Sequence, residues 1–274
     1  MKYMNFKEKL EKITDRNNSL LCVGLDIDED KIPKYLFQKS KTPFLDFNKE
    51  IIDATKDLVV AYKLNMAFYE VLGKEGINIL EKTIEYIPNE IVVIIDGKRN
   101  DIGNTARKYA KSLFETFNAD AVTINPYLGK DGVFPFLEYN DKCSFILCRT
   151  SNPSAIDIQD VKISGKPLYE LVANKIKEWN KFGNCGAVVG ATYPSELKII
   201  REILGDEIPM LIPGIGAQGG DVEKTIKYGT NKNKKNAIIN SSRGIIYANP
   251  KEGFSKESRN AAISLKEKIN KYRK

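Results

Sequence analysis

A short stretch of alternating acidic and basic side chains is the part of the sequence best suited to chemistry. The segment 96–105 reads DGKRNDIGNT and carries Asp96, Lys98 and Asp101, and Lys63 ends an earlier apolar run. Because side chains two positions apart on a strand share a face, Asp96 and Lys98 are expected to point into one site. Asp101 is expected at the start of the following helix, as its N-cap or beside the positive end of its dipole. Lys63 is placed to reach Asp96, which completes an array of alternating charges.

The spacing of these charges is compatible with a catalytic site or with a structural network of ion pairs. Buried ion pairs rarely stabilise a fold more than apolar packing does, because lost hydration offsets their attraction. Four such residues in one place therefore favour a catalytic role over a structural one.

The chain contains no histidine, which limits the chemistry of any active site. Ser-His-Asp and Cys-His catalysis, histidine metal sites and imidazole proton shuttles are excluded. Acid–base chemistry must use Lys, Asp, Glu, Tyr or Cys side chains. None of the cysteines has CxxC spacing, so we expect neither a metal site nor a redox pair but small buried side chains at Cys22, Cys143, Cys148 and Cys185.

A glycine-rich segment and a later arginine together predict a phosphate site. Residues 213–220 read PGIGAQGG, and Arg243 follows two serines after a later apolar run. Glycines let backbone N–H groups approach an anion closely, and an arginine can bind phosphate through two parallel N–H groups. The glycine-rich segment alone is equally compatible with a tight turn, but the two segments in combination favour phosphate binding.

The elements that must position these residues are eight short apolar runs. Their apolar residues are nearly continuous, which is typical of strands buried on both faces. The runs are Leu20–Leu25, Leu58–Leu64, Ile91–Ile95, Ala121–Ile124, Ser144–Cys148, Gly186–Gly190, Pro209–Ile212 and Ala237–Ile239.

Segments with helical periodicity follow five of these runs, for example Leu197, Ile200 and Ile203 after the sixth. Strands that alternate with helices form parallel sheets, and eight such units in a chain of 274 residues predict a (β/α)8 TIM barrel. A doubly wound sheet is the alternative. With no internal repeat or low-complexity linker, residues 1–274 are expected to form a single catalytic domain.

Polar residues follow the apolar runs, at the end of a barrel strand where active sites lie. They include Asp26 after the first run, Asn125 after the fourth and Ser151 after the fifth. Two long connections, Asp28–Pro43 and Asn152–Pro167, are expected over this face. A third, Tyr228–Asn236, is expected at the opposite face.

Composition adds expectations about partners and location. The formal net charge is +7, but the lysines are spread along the chain and their clusters at 232–235 and 266–274 are interpreted as solvated surface. No basic motif interleaved with aromatic residues suggests a nucleic-acid partner. No apolar stretch is long enough to span a membrane, and 1–18 lacks the apolar core of a signal peptide, so a cytoplasmic protein is expected.

These motifs resemble those of one family, the orotidine 5′-phosphate decarboxylases, and the resemblance runs from Val23 to about Ala248. The DxKxxDI pattern that begins at Asp96 resembles the family's signature, and PGIGAQGGD resembles its phosphate loop. Asn125-Pro-Tyr and the long loops resemble the longer bacterial and archaeal branch. The shorter branch differs at Asn125, so its role stays open.

The resemblance implies an activity, a set of site residues and an assembly. The activity is decarboxylation of orotidine 5′-phosphate to uridine 5′-phosphate, the last step of UMP synthesis, without a cofactor or metal. The assembly is a homodimer in which residues of one subunit reach the neighbour's site. The implied roles are catalysis for Lys63, Asp96, Lys98 and Asp101; ribose contact for Asp26 and Lys63; pyrimidine contact for Ser151; phosphate binding for Pro213, Gly216, Gln218 and Arg243; and a place in the neighbour's site for Asp101, Ile102 and Thr105.

The mechanistic hypothesis is direct loss of carbon dioxide through a carbanion at C6, which Lys98 stabilises and protonates. Two alternatives remain. One is a metal-dependent sugar-phosphate aldolase or decarboxylase of the same barrel superfamily, because the DxKxxD pattern alone is shared with hexulose-phosphate synthase-like relatives. The other is a non-catalytic protein that binds a phosphate ligand.

Overall fold

The centre of the chain is a closed barrel of eight parallel strands. The computed structural model describes residues 4–215 and 219–274. The barrel closes where β1 pairs with β10, which confirms the (β/α)8 prediction and rules out a doubly wound sheet. The short β6 and β7 form a separate antiparallel hairpin outside the barrel. In chain order the strands are β1 (Leu21–Gly24), β2 (Ala61–Asn65), β3 (Val92–Arg99), β4 (Ala121–Ile124), β5 (Cys143–Arg149), β6 (Lys162–Ile163), β7 (Lys166–Pro167), β8 (Cys185–Val189), β9 (Met210–Pro213) and β10 (Ala237–Ser241).

Helices surround the barrel, and they pack against it through their buried faces. Within the described part of the chain, none of them has the length and apolar character needed to cross a bilayer. The helices are α1 (Phe6–Asn17), α2 (Lys34–Lys39), α3 (Pro43–Thr55), α4 (Met66–Glu70), α5 (Gly73–Tyr86), α6 (Gly103–Lys111), α7 (Lys130–Leu137), α8 (Leu168–Trp179), α9 (Pro194–Leu204), α10 (Val222–Gly229), α11 (Arg243–Ile246) and α12 (Phe254–Lys271), with a π turn at Ser112–Thr116 and a 3-10 turn at Pro153–Asp157.

The sequence periodicity identified α5, α6, α8, α9 and α12 but not the helices after the first, fourth and seventh barrel strands. These are α3, α7 and α10. Helix α7 spans only eight residues and has Pro135 inside it, and α10 is equally short. The two turns of α7 and of α10 give too few repeats for a clear pattern, so packing against the barrel stabilises these two helices more than local preference does.

Helix α1 covers the N-terminal end of the barrel, which the sequence analysis did not anticipate. A capping box between Asn5 and Glu8 begins the helix, and Phe6, Leu10 and Ile13 form its buried face. The Phe6 ring packs edge-on against Phe145 of β5 at 5.8 Å. With this end closed, the opposite end of the barrel is the one that carries a large cavity.

The long connections lie where the sequence predicted. The connection after β1 contains α2, and the connection after β5 contains the 3-10 turn and the β6–β7 hairpin. The connection before β10 lies at the opposite face, where Lys232 N–H and Asn236 Nδ2 donate hydrogen bonds to Asp206. Both long loops at the C-terminal face are therefore available to shape a site.

Candidate active site

Asp96 is the centre of the charged array and is almost completely buried. Its Oδ1 accepts hydrogen bonds from Lys98 Nζ at 2.8 Å and Thr123 Oγ1 at 2.7 Å, and its Oδ2 accepts from Lys63 Nζ at 3.0 Å. Burial alone would raise the pKa of Asp96, but the two lysines and these hydrogen bonds outweigh burial and hold the pKa well below its usual range. The carboxylate is therefore ionised at neutral pH.

Lys63 joins Asp96 to a second carboxylate, on Asp26. Its Nζ lies 3.6 Å from Asp26 Oδ1, and its side chain is as buried as that of Asp96. Burial alone would lower the pKa of Lys63, but the charges of Asp96 and Asp26 reverse this and raise the pKa above its usual range. Asp26 Oδ1 is itself buried and receives no hydrogen bond from the described residues. An oxygen of this kind is suited to accept a hydrogen bond from a ligand hydroxyl.

Lys98 reaches the array through an irregular backbone rather than through simple strand alternation. Between Ile95 and Arg99, β3 advances four residues while β4 advances two, so β3 bulges. Lys98 lies in this bulge with a left-handed φ of 44°, and its N–H donates to Thr123 Oγ1 at 3.0 Å. Asp96 and Lys98 do meet, as the sequence predicted, but the physical reason is the bulge and its anchor on Thr123. The Lys98 side chain is about half exposed, at 47%.

These side chains line one cavity of about 510 Å³ at the C-terminal end of the barrel. A cavity of this size accommodates a small phosphorylated molecule. Among the described residues, no three His, Cys, Asp or Glu side chains are close enough together to hold a metal ion. Of the residues that the sequence selected, the cavity brings together Asp26, Lys63, Asp96, Lys98, Ser151, Pro213 and Arg243.

Asp101, Ile102 and Thr105 do not line this cavity. Asp101 lies at the start of the next helix, as expected, but it is not the N-cap, because α6 begins at Gly103 and its N-cap is Ile102; of the two expected positions, the one beside the positive end of the helix dipole fits. Asp101 instead accepts the N–H of Ile102 at 2.8 Å, one residue before the cap. Ile102 and Thr105 are exposed; Ile102 lies in the loop that follows β3, and Thr105 lies in the first turn of α6.

The predicted phosphate end lies after β9 and β10. Pro213 ends β9, and Gly214 adopts a φ of 106°, a backbone conformation that L side chains rarely adopt. Arg243 begins the short α11 and lines the cavity beside Ser242 and Gly244. The predicted contacts of Gly216 and Gln218 lie outside the described residues.

Ser151 and Asn125 have different environments. Ser151 lines the cavity after β5, and its backbone packs so closely against Gly190 that a Cβ there would lie 2.8 Å from Ser151 Cα. Asn125 does not line the cavity. Its Oδ1 accepts the N–H of Tyr127 at 3.0 Å, which gives it a local role in the turn after β4.

Sequence reasoning missed Thr123, which contacts both Asp96 and the backbone of Lys98. The single hydroxyl in the apolar run AVTI was the available signal, because an isolated polar residue inside a buried strand needs a partner. Gln159 and Asn152 also line the cavity. Gln159 had no signal, because it lies in a loop whose path the sequence does not reveal.

Comparisons with known proteins agree on one family. The family model described as orotidine 5′-phosphate decarboxylase / HUMPS matches residues 19–257. The orotidine 5′-phosphate decarboxylase of Dehalococcoides mccartyi strain BAV1 is 48% identical over 275 residues, which cover 99% of this chain and 99% of that protein. The structure of Leishmania donovani OMP decarboxylase has a TM-score of 0.86 at 37% identity, with 98% of this chain and 99% of that chain covered. The structure of Leishmania donovani UMP synthase has a TM-score of 0.88 at 39% identity. That match covers 99% of this chain and 57% of the UMP synthase chain.

Replacement of Asp96 by Asn tests whether the carboxylate holds the array together. We expect Asp96→Asn to lower the free energy of unfolding by about 2–4 kcal/mol, because buried Lys63 then keeps only Asp26 as a counter-charge. The folded pKa of Asp96 lies below its unfolded value of about 3.9, so its contribution is complete above that pH and is lost as pH falls toward the folded pKa. Urea titrations should therefore give a constant difference from about pH 5 to 8 and a smaller one below about pH 4.

Asp53→Asn is the matched control, because Asp53 pairs with Lys56 at a site where both side chains are 49% exposed. That substitution should change stability by less than about 1 kcal/mol. Equal stability of Asp96→Asn and the unsubstituted protein from about pH 5 to 8 would contradict the account.

Proposed function

The chain belongs to the orotidine 5′-phosphate decarboxylase / HUMPS family, and on that basis we propose that it converts orotidine 5′-phosphate to uridine 5′-phosphate in UMP synthesis. The observation that carries this proposal is the buried array of Asp26, Lys63, Asp96 and Lys98 in the barrel mouth. The proposal takes the whole barrel as one catalytic domain that uses neither a cofactor nor a metal.

The substrate's parts correspond to three regions of the cavity. Arg243 and the backbone N–H of Gly214 would bind the phosphate, with Pro213, which has no N–H, packing beside it, since guanidinium and backbone N–H groups are the usual phosphate donors in barrels. Asp26, whose Oδ1 receives no hydrogen bond from the described residues, would accept one from a ribose hydroxyl. The reacting carbon of the base then lies toward Lys98.

The chemical step breaks the bond between C6 and the carboxylate carbon. The electron pair stays on C6, carbon dioxide leaves, and the Lys98 ammonium stabilises the carbanion and donates the proton that replaces the carboxylate. Asp96 lies beside Lys98 and would repel the substrate carboxylate, and this repulsion is relieved as carbon dioxide departs.

No single charge pair is sufficient for this reaction. At an effective dielectric constant near 20, one pair about 4 Å apart contributes roughly 4 kcal/mol. Enzymes lower barriers by roughly 8–23 kcal/mol. Several fixed charges must therefore act together, and binding energy from the phosphate must hold the base against the array.

The proposal includes a homodimer, and an exposed apolar surface supports it. We call this surface the apolar rim: it consists of Val71, Ile102, Tyr109, Tyr127 and Leu128, which are all exposed. The rim lies on the segments that follow β2, β3 and β4. Large apolar side chains that are exposed on neighbouring segments are typical of protein interfaces.

Arg99 links Tyr109 of the rim to the segment that carries Val71. Its guanidinium lies 5.4 Å from the centre of the Tyr109 ring and forms an ion pair with Glu70, next to Val71. A second subunit on this surface would cover Ile102 and bring Asp101 toward the neighbour's cavity, which explains why Asp101 does not line its own.

A cytoplasmic location is also part of the proposal. The four cysteines are buried and unpaired, which is usual in a reducing compartment.

The reaction is tested directly with orotidine 5′-phosphate in excess EDTA. We expect rapid turnover, measured by the change in ultraviolet absorbance, because lysine and aspartate side chains supply all the charges that the step needs. A metal-dependent sugar-phosphate lyase would be inactive under these conditions and would act on pentulose or hexulose phosphates when magnesium is added. That pattern, from a folded protein, would contradict the proposal.

The shared site is tested by mixing two inactive variants, Lys98→Ala and Asp101→Ala, as co-expressed subunits. If Asp101 serves the neighbour's site, each mixed dimer has one intact site and one with both substitutions. Equal mixing should then restore about a quarter of the normal activity per site. Mixed protein no more active than its separate components would show that Asp101 acts within its own subunit.

A further inference from the structure

The turn Thr150–Asn152 lines the cavity and is held by side chains from the far end of its own loop. Arg149, the last residue of β5, is 1% exposed and pairs with Asp160, whose Oδ1 lies 2.9 Å from Arg149 Nε. The Arg149 Nη2 also donates to Asp160 Oδ2 at 3.1 Å. Next to this pair, the N–H of Thr150 donates to Gln159 Oε1 at 2.8 Å. The two contacts close the loop 151–158 at its base.

The hydrogen bonds of this closure have a fixed direction. A backbone N–H can only donate, so the Gln159 atom that faces Thr150 N must be the amide oxygen. The Gln159 Nε2 then lies 2.8 Å from Thr150 Oγ1 and donates to it. The Thr150 hydroxyl has one proton, and its shortest acceptor is Asn152 Oδ1 at 2.7 Å, compared with 3.2 Å to Gln159 Oε1.

In the structure the Asn152 amide is oriented with its oxygen toward the Thr150 hydroxyl, which donates to it. Its oxygen is occupied by Thr150, so the Nδ2 group is the part of the amide that remains for other partners. Asn152 is exposed in the absence of a ligand and lines the same cavity as the charged array. It thus presents hydrogen-bond donors rather than acceptors to a bound molecule.

The position of β5 in the barrel indicates which part of a ligand Asn152 would meet. The proposed ribose contact is on β1, the array is on β2 and β3, and the proposed phosphate contacts follow β9 and β10. Strand β5 lies opposite β1 in the closed sheet. Of the remaining walls, β4 contributes Thr123, which is bound to Asp96, and β8 contributes the apolar Val188, so the turn after β5 carries the polar groups that are left for the base. The ring carbonyl oxygens of a pyrimidine-2,4-dione are acceptors and match an amide donor.

We propose that Asn152 donates a hydrogen bond to a ring carbonyl oxygen of the substrate's base and that Gln159, through Thr150, is the positioning residue that fixes this donor. The inference rests on the proposed function and adds a second polar group beside Ser151, for which the family resemblance implies contact with the pyrimidine. Arg149 and Asp160 support it by holding Gln159 next to Thr150.

The test compares uridine 5′-monophosphate with its 2-thio and 4-thio analogues as competitive ligands of the protein and of Asn152→Ala. Sulfur accepts hydrogen bonds weakly, so the analogue altered at the contacted carbonyl should bind about 3- to 10-fold less tightly to the unsubstituted protein. In Asn152→Ala that penalty should disappear, while the other analogue's affinity relative to uridine 5′-monophosphate should not change. Ser154→Ala, an exposed substitution in the same loop, is the matched control and should keep the full penalty.

Gln159→Glu separates positioning from simple loop stability. Both carboxylate oxygens accept, so the Thr150 hydroxyl should turn from Asn152 to Glu, and the sulfur penalty should fall without a matching loss of inorganic phosphate affinity. A purely structural Gln159 would weaken all ligands by one factor and leave the penalty intact, which would overturn the positioning role.

Equal sulfur penalties in Asn152→Ala and the unsubstituted protein, or no penalty for either analogue in the latter, would overturn the inference alone. A folded, unsubstituted protein that binds none of the three nucleotides would overturn the proposed function together with the inference.

Discussion

The buried carboxylate of Asp96 between two lysines is the interaction on which the site depends. An ionised carboxylate that is nearly free of solvent contact is stable only if opposite charges and hydrogen bonds replace its hydration. Lys63, Lys98 and Thr123 supply them from three adjacent strands. Each partner has to reach one point in the barrel mouth, so this requirement constrains the ends of β2, β3 and β4 at once.

The local backbone of β3 follows from the same requirement. In a regular strand Lys98 would point to the same face as Asp96 but lie farther along the strand. The bulge and the left-handed conformation of Lys98 turn its side chain back to the carboxylate. A non-glycine residue in this conformation is strained, by of order 1–3 kcal/mol, and such strain persists where surrounding contacts over-determine it. Thr123 provides two such contacts, because its hydroxyl donates to the Asp96 carboxylate and accepts the N–H of Lys98.

The sequence was sufficient to predict the barrel and that Lys63, Asp96 and Lys98 meet, but not that Asp26, rather than Asp101, is the second carboxylate beside Lys63. Continuous apolar runs between polar strand ends are a property of parallel sheets that needs no three-dimensional information. The presence of Gly214 and Arg243 at one cavity was predictable for a similar reason, since both belong to short local motifs that follow barrel strands. The chain belongs to the family, and the relatives match it over almost its whole length, which includes these motifs.

Features that depend on contacts between distant segments were not predictable. The bulge at Lys98 depends on a threonine of the next strand, and the order of the Thr150 turn depends on Gln159, nine residues away in a loop. Asp101 was expected at the N-cap of the next helix or beside the positive end of its dipole, and only the second holds, because the helix boundary depends on the backbone that leaves the bulge. Short helices such as α7 were missed because packing, rather than periodicity, stabilises them.

The central claim is that an ammonium group at position 98, held by Asp96, carries the chemistry. It is tested most directly with Lys98→Cys followed by alkylation with 2-bromoethylamine, which rebuilds a lysine-like side chain. The native cysteines are all buried, so the reagent should modify the introduced thiol selectively, and alkylated unsubstituted protein is the control. The account predicts that Lys98→Cys loses turnover of orotidine 5′-phosphate but still binds uridine 5′-monophosphate, and that alkylation restores a substantial part of the turnover. Near-normal turnover before alkylation, or none after it in a protein that still binds the nucleotide, would contradict the account.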